Sequence, residues 1–75
     1  MTLAELPLDA HARVRGFRDL EPAHASRLEG LGLRGGAPVV KLLKTPLGDP
    51  IECLVGGQLL ALEGWLLERI LVEKA

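Results

Sequence analysis

The pattern of apolar and polar positions predicts a β-hairpin in the second half of the chain. Residues 51–55 alternate between two faces with the period of two that is typical of a strand with one buried side. Gly56 and Gly57 are a two-residue turn sequence, after which residues 58–62 return. This turn pairs Leu54 with Leu59 on the outer face. The residues predicted to face inward are Ile51, Cys53, Val55, Leu60 and Leu62.

The first half of the chain predicts one strand followed by one helix. In residues 11–18, Ala12 and Val14 share a face, and a bulge at Gly16 would turn Phe17 inward. Glu21-Pro22 opens a helix, since proline suits the first helical position, and Gly32 ends it in a left-handed conformation. The residues predicted to form its buried stripe are Ala23, Ala25, Leu28 and Leu31, with Leu33 packing back on the helix.

Shorter elements complete the predicted fold. Residues 2–6 form a short lid, residues 37–44 a second strand whose register is unsettled around Lys41, residues 63–68 a single helical turn, and residues 69–73 the last strand. Five short strands with one short helix inserted after the first strand are typical of a mainly β protein. The prediction is a small SH3-like, partly open five-stranded barrel that occupies residues 1–75 as one domain.

Composition narrows the classes of protein. A lone Cys53 excludes an intramolecular disulfide and favours a reducing compartment. No apolar run approaches the roughly 18 residues of a membrane span, so we expect a cytoplasmic protein without membrane insertion. The net charge is −1, and with one Phe, one Trp and no Tyr there is no aromatic platform for bases, which argues against nucleic acid as a partner.

Residues with catalytic or metal-binding chemistry are scattered. His24 and Ser26 are two positions apart on the predicted helix and point to different faces, so they cannot form a nucleophile and its base. His11, His24 and Cys53 do not have the spacing of a metal site. We therefore predict no catalytic residue, no metal site within one chain and no cofactor; a metal site assembled between two molecules stays open.

Two turn-forming stretches of the sequence resemble those of a known protein family. The stretch 27–39 reads R-L-E-G-L-G-L-R-G-G-A-P-V, and residues 46–51 read P-L-G-D-P-I. Together these stretches resemble ferrous iron transport protein A (FeoA), and the likeness extends over nearly the whole chain. The residues predicted to shape the structural turns are Gly32, Gly36, Gly48, Asp49, Pro50, Gly56 and Gly57, and we expect the Asp49 side chain to bond the local backbone of its turn.

The resemblance implies a function in recognition. FeoA proteins are small cytosolic SH3-like barrels that accompany the membrane ferrous-iron transporter FeoB, so this chain is expected to be a non-enzymatic accessory protein that contacts FeoB. The same barrel occurs as the C-terminal domain of iron-dependent repressors, which leaves a stand-alone metal-sensing domain as the alternative. The fold alone does not decide between these two functions.

An exposed apolar cluster is the candidate contact site. Leu54 and Leu59 occupy outward positions where strands usually carry polar groups, and Trp65 follows shortly after. Such a cluster often marks a protein interface; alternatively, Trp65 caps an open end of the barrel with the two leucines beneath it. The partner would be the FeoB-type transporter or a second copy of the chain in a homo-oligomer.

Overall fold

The computed structural model describes residues 1–75, apart from the side chain of Lys44. In chain order the elements are a 3₁₀ turn (Leu3–Glu5), β1 (His11–Phe17), α1 (Pro22–Gly30), β2 (Pro38–Lys44), β3 (Ile51–Val55), β4 (Gln58–Leu62), α2 (Gly64–Leu67) and β5 (Ile70–Lys74). The strands pair antiparallel in one sheet with the order β4-β3-β2-β1-β5, so that β4 and β5 form its two edges. The mainly β prediction, with a short helix after the first of five strands, is confirmed.

The β3–β4 hairpin has the predicted register. Val55 pairs with Gln58 and Leu54 with Leu59, so only Gly56 and Gly57 lie in the turn. Both glycines have positive φ, 56° and 85°, as a type I′ turn requires. The inward set is also confirmed: four of its members are buried and the fifth, Leu60, is partly buried against the core. The four buried residues are Ile51, Cys53, Val55 and Leu62.

The predicted bulge in β1 is present. The register of β1 against β5 shifts between Val14 and Gly16, and Gly16 has a φ of 155°. The extra residue returns Phe17 to the inner side, where it packs against the core. Ala12 and Val14 are buried as expected from the alternation.

The prediction of a buried stripe on α1 is wrong for two of its four residues. Leu28 is buried and Ala25 is partly buried, but Ala23 and Leu31 are exposed. The reason is the end of the helix: the N–H of Gly32 donates to the carbonyl of Glu29, and that of Leu33 donates to the carbonyl of Leu28, both at 3.0 Å. This is a Schellman turn. It bends the chain so that Leu33, rather than Leu31, enters the core.

The register of β2 depends on Lys41, which is only 7% exposed. It pairs with Cys53 on the inner side of the sheet, and a shift follows between Lys41 and Leu43. The Lys41 ammonium donates to the carbonyls of Leu3 (3.2 Å) and Ala4 (2.9 Å). A cation placed at the C-terminal end of a helical turn stabilises its unpaired carbonyls. Lys41 therefore ties the N-terminal turn, the predicted lid, to the centre of the sheet.

The core lies between the sheet, the N-terminal turn and the two short helices. Its fully covered members include Leu3 and Leu6 from the N-terminal segment, Leu28 from α1 and Leu67 from α2. Each helical segment therefore contributes one or two leucines that cover the concave side of the sheet. Among the residues that the structure describes, no helix is long and apolar enough to cross a membrane.

Candidate protein-contact surface

The outer side of strands β2, β3 and β4 carries apolar residues that face away from the core. Leu54 pairs with Leu59 on one side and with Val40 on the other, and side chains of paired residues share a face. Leu59 is 57% exposed, Leu54 is half-buried, and Val40 is buried outside the main core cluster. We call the following residues the outer leucine face: Val40, Leu43, Leu54, Leu59 and Ala61.

Leu43 belongs to this face because of the bulge in β2. After the shift that follows Lys41, Leu43 lies opposite Glu52, which in turn lies opposite Ala61. Leu43 is 48% exposed as a result. The sequence did not reveal this residue, since the apolar run through β2 has no clean alternation. The only signal was Lys41, whose position inside the run indicates an irregular register.

Trp65 lies on α2, directly after β4, and is 43% exposed. Its ring packs edge-to-face against the imidazole of His24 on α1, with 5.7 Å between the ring centroids and an interplanar angle of 70°. Its indole N–H donates to Glu63 at 3.3 Å. The described contacts of Trp65 thus join the two helices. The rest of the side chain accounts for the solvent exposure of this residue.

The turn residues occupy the predicted reversals, with one correction. Gly32, Gly36, Gly48, Gly56 and Gly57 all have positive φ, and the Asp49–Pro50 peptide is cis. The Asp49 carboxylate, however, does not bond its own turn. Its Oδ1 accepts a hydrogen bond of 2.9 Å from the N–H of Gly64, the first residue of α2. An unpaired N–H at a helix N-terminus attracts a carboxylate, and the β2–β3 loop supplies it here.

The ionisable residues are dispersed. His11 is exposed at the start of β1. Cys53 is fully buried, and this burial raises the pKa of its thiol to about 11. The positive charge of Lys41 lowers that pKa by a smaller amount. Of the basic residues on and after β1, Arg13 bonds the carbonyl of Gly36 and Arg18 that of Glu68. Across residues 1–75, with the Lys44 side chain aside, no three histidine, cysteine or acidic side chains lie close enough to hold a metal ion.

Comparison with known proteins decides the family. The model of the FeoA domain matches residues 1–74. The chain belongs to the FeoA family. Among curated proteins, none matches the sequence. The family places the chain in ferrous iron transport, as the likeness of its turn sequences implied.

Solved structures agree with this assignment. The FeoA protein of Chlorobium tepidum is 40% identical, with a TM-score of 0.89 over 99% of this chain and 70% of the other. FeoA of Stenotrophomonas maltophilia is 38% identical, with a TM-score of 0.82 over 97% of this chain and 89% of the other. That protein was crystallised with zinc and is described as a prokaryotic SH3 domain protein and a candidate activating factor of ferrous iron transport. The predicted SH3-like fold is thereby confirmed.

A third structure shares the fold alone. IdeR of T. acidophilum superimposes with a TM-score of 0.82 but is 19% identical, and this chain covers 34% of it. At that identity the likeness carries no function. The expected relation to iron-dependent repressors is therefore limited to the architecture.

Proposed function

We propose that this member of the FeoA family acts in the cytoplasm and supports ferrous iron uptake by direct contact with the cytoplasmic part of a FeoB-type transporter. The contact is made through the outer leucine face, with Trp65 on α2 as a second, separate contact. The observation that carries the proposal is the exposed position of Leu59 beside the half-buried Leu54 on the outer side of the sheet. Exposed apolar side chains at adjoining positions on a small domain are typical of interfaces. The choice of partner rests on the resemblance to FeoA proteins, which implies a role beside a FeoB-type transporter.

The structure favours recognition over chemistry as the mode of action. The only cysteine is buried as a neutral thiol, and the Asp49 carboxylate is engaged by the backbone of α2. Neither group is free to act as a nucleophile or a base. The structure offers a partner two separate features: the apolar outer face of the sheet, and the partly exposed indole of Trp65 on α2, whose printed contacts are with His24 and Glu63. Aromatic side chains of this kind often dominate the binding energy of an interface.

The proposal is tested by titrating the protein into the purified G domain of the FeoB-type transporter. We expect Leu59→Ser to weaken binding at least about tenfold, which corresponds to roughly 1.4 kcal/mol. Trp65→Ala should weaken it by a similar or larger factor, since truncating an aromatic anchor commonly costs 2 kcal/mol or more. Leu47→Ser is the matched control: Leu47 is 93% exposed but lies in the β2–β3 loop, outside the outer leucine face.

Two further measurements separate binding from folding. His24→Ala removes the ring that packs on Trp65 while leaving the indole in place, so it reports how much of a Trp65→Ala effect comes from a displaced α2. Thermal unfolding of every variant shows whether the fold survives. Equal affinities for the Leu59→Ser, Trp65→Ala and Leu47→Ser variants would contradict the proposed surface. Tight, stoichiometric retention of Fe²⁺ or Zn²⁺ by the protein alone would favour the metal-sensing alternative.

A further inference from the structure

The two edges of the sheet differ in how they are protected. The β5 edge is covered by the N-terminus: Thr2 bridges to Leu71, and the carbonyl of Met1 accepts a hydrogen bond of 2.8 Å from Val72. β5 also ends in the charged residues Glu73 and Lys74. β4, with the sequence Gln-Leu-Leu-Ala-Leu, contains no charge, proline or glycine. Exposed edge strands normally carry such features to prevent pairing with other chains. β4 carries none of them.

The backbone of β4 has hydrogen-bonding groups aimed away from the sheet. Gly56 directly follows β3, and its N–H donates to the carbonyl of Pro38 at 2.9 Å. The even-numbered residues of β3 therefore bond towards β2. Odd-numbered residues of β3 therefore bond towards β4, because backbone groups alternate along a strand. Their partners are Gln58, Leu60 and Leu62. The remaining two residues of β4, Leu59 and Ala61, direct both their N–H and C=O groups outwards.

We propose that β4 is a self-recognition edge, which pairs antiparallel with β4 of a second copy of this chain. The register that overlaps the whole strand places Leu60 opposite Leu60 of the second copy. Leu59 then lies opposite Ala61 of that copy, and each such pair exchanges both of its backbone hydrogen bonds. The two sheets become one continuous sheet across a two-fold axis, which is the commonest symmetry of homodimers.

The chemistry of the strand favours a second copy as the occupant. In this register a large side chain, Leu59, always meets a small one, Ala61. Glu63, which follows β4, falls opposite Gly57 of the second copy, so that no two like charges meet. The contact is made through the backbone of β4, and the residues of the outer leucine face on β2 and β3 lie outside it. It therefore stands independently of the proposed contact with a transporter.

The expected association is weak. A strand edge of five residues buries far less than the ~1,200 Å² that stable interfaces need. The test is amide hydrogen exchange followed by NMR on this protein alone, at about 0.05 mM and about 1 mM, together with sedimentation at both concentrations. We expect a dimer at the higher concentration and exchange at Leu59 and Ala61 slowed at least about threefold. The Leu60 amide, which already bonds β3, should not respond.

A pair of variants isolates the edge. Ala61→Pro removes the N–H that points outwards from β4 and leaves every hydrogen bond to β3 in place. Proline is tolerated on an edge strand when its nitrogen faces outwards. It should be monomeric at about 1 mM, whereas Ala61→Ser, which retains the N–H, should associate like the unmodified protein. Dimerisation of Ala61→Pro, or a dimer without protection at Leu59 and Ala61, would overturn the proposal. If Ala61→Pro does not fold, the concentration dependence of exchange in the unmodified protein decides alone.

Discussion

The Gly56-Gly57 turn provides a test in which two neighbouring positions should respond in opposite directions. A Cβ added at either glycine would have no atom within 4 Å outside its immediate neighbours, so neither substitution is opposed by packing. Only the backbone angles differ. Gly56 has a φ of 56°, inside the left-handed region that asparagine tolerates, whereas Gly57 has a φ of 85°, outside it. A change in stability at either position must therefore arise from the conformational preferences of the backbone rather than from packing.

We expect Gly57→Val to lower the free energy of unfolding by about 1–3 kcal/mol, because a β-branched residue resists positive φ. Gly56→Asn should be neutral, or stabilising by up to about 1 kcal/mol. It creates an Asn-Gly sequence, the preferred pair for a type I′ turn, and restricts the unfolded chain more than glycine does. The matched pair shares the same turn, the same strands and the same open surroundings.

Urea unfolding measures both changes, with the fluorescence of Trp65, the only tryptophan, and far-ultraviolet circular dichroism as probes. With a slope of about 1 kcal/mol/M for a domain of this size, the midpoint of Gly57→Val should fall by about 1–3 M while the slope is unchanged. Equal losses at the two positions would refute the reasoning. They would show that something other than the backbone angle φ opposes a side chain in this turn.

Three further outcomes are expected. The free energy of unfolding should decline between about pH 9 and pH 11, because the buried Cys53 thiol, with its pKa raised to about 11, stays protonated while the unfolded thiol ionises. Cys53→Ala should remove that part of the decline. The same dependence of stability on pH in the variant and the unmodified protein would contradict this expectation. Asp49→Ala should destabilise the protein by about 0.5–2 kcal/mol through loss of the bond to Gly64, with Asp49→Asn losing less, as thermal unfolding would show. A double-mutant cycle on the exposed pair of Arg15 and Glu73, 3.2 Å apart, should give a coupling energy below about 1 kcal/mol that falls with salt.

The sequence was sufficient for features that depend on neighbouring residues. The β3–β4 hairpin was predicted with its full register, since a two-residue glycine turn and a period of two together allow one pairing. The bulge at Gly16 and the ends of α1 were predicted for the same reason: glycine and proline restrict the backbone at the point where they stand. Of the candidate contact site, the opposed pair of Leu54 and Leu59 follows directly from that hairpin.

Interactions between distant segments were decided by the tertiary structure. Lys41 reaches carbonyls 37 and 38 positions away, which explains why a charged residue occurs within an apolar strand. The register shift that follows turns Leu43 outwards. Asp49 bonds Gly64 rather than its own turn, and Trp65 packs on His24. The local sequence shows that a residue is basic, acidic or aromatic. It does not state which unpaired carbonyl, N–H or ring the folded chain will bring within reach, because that depends on the mutual packing of elements far apart in sequence.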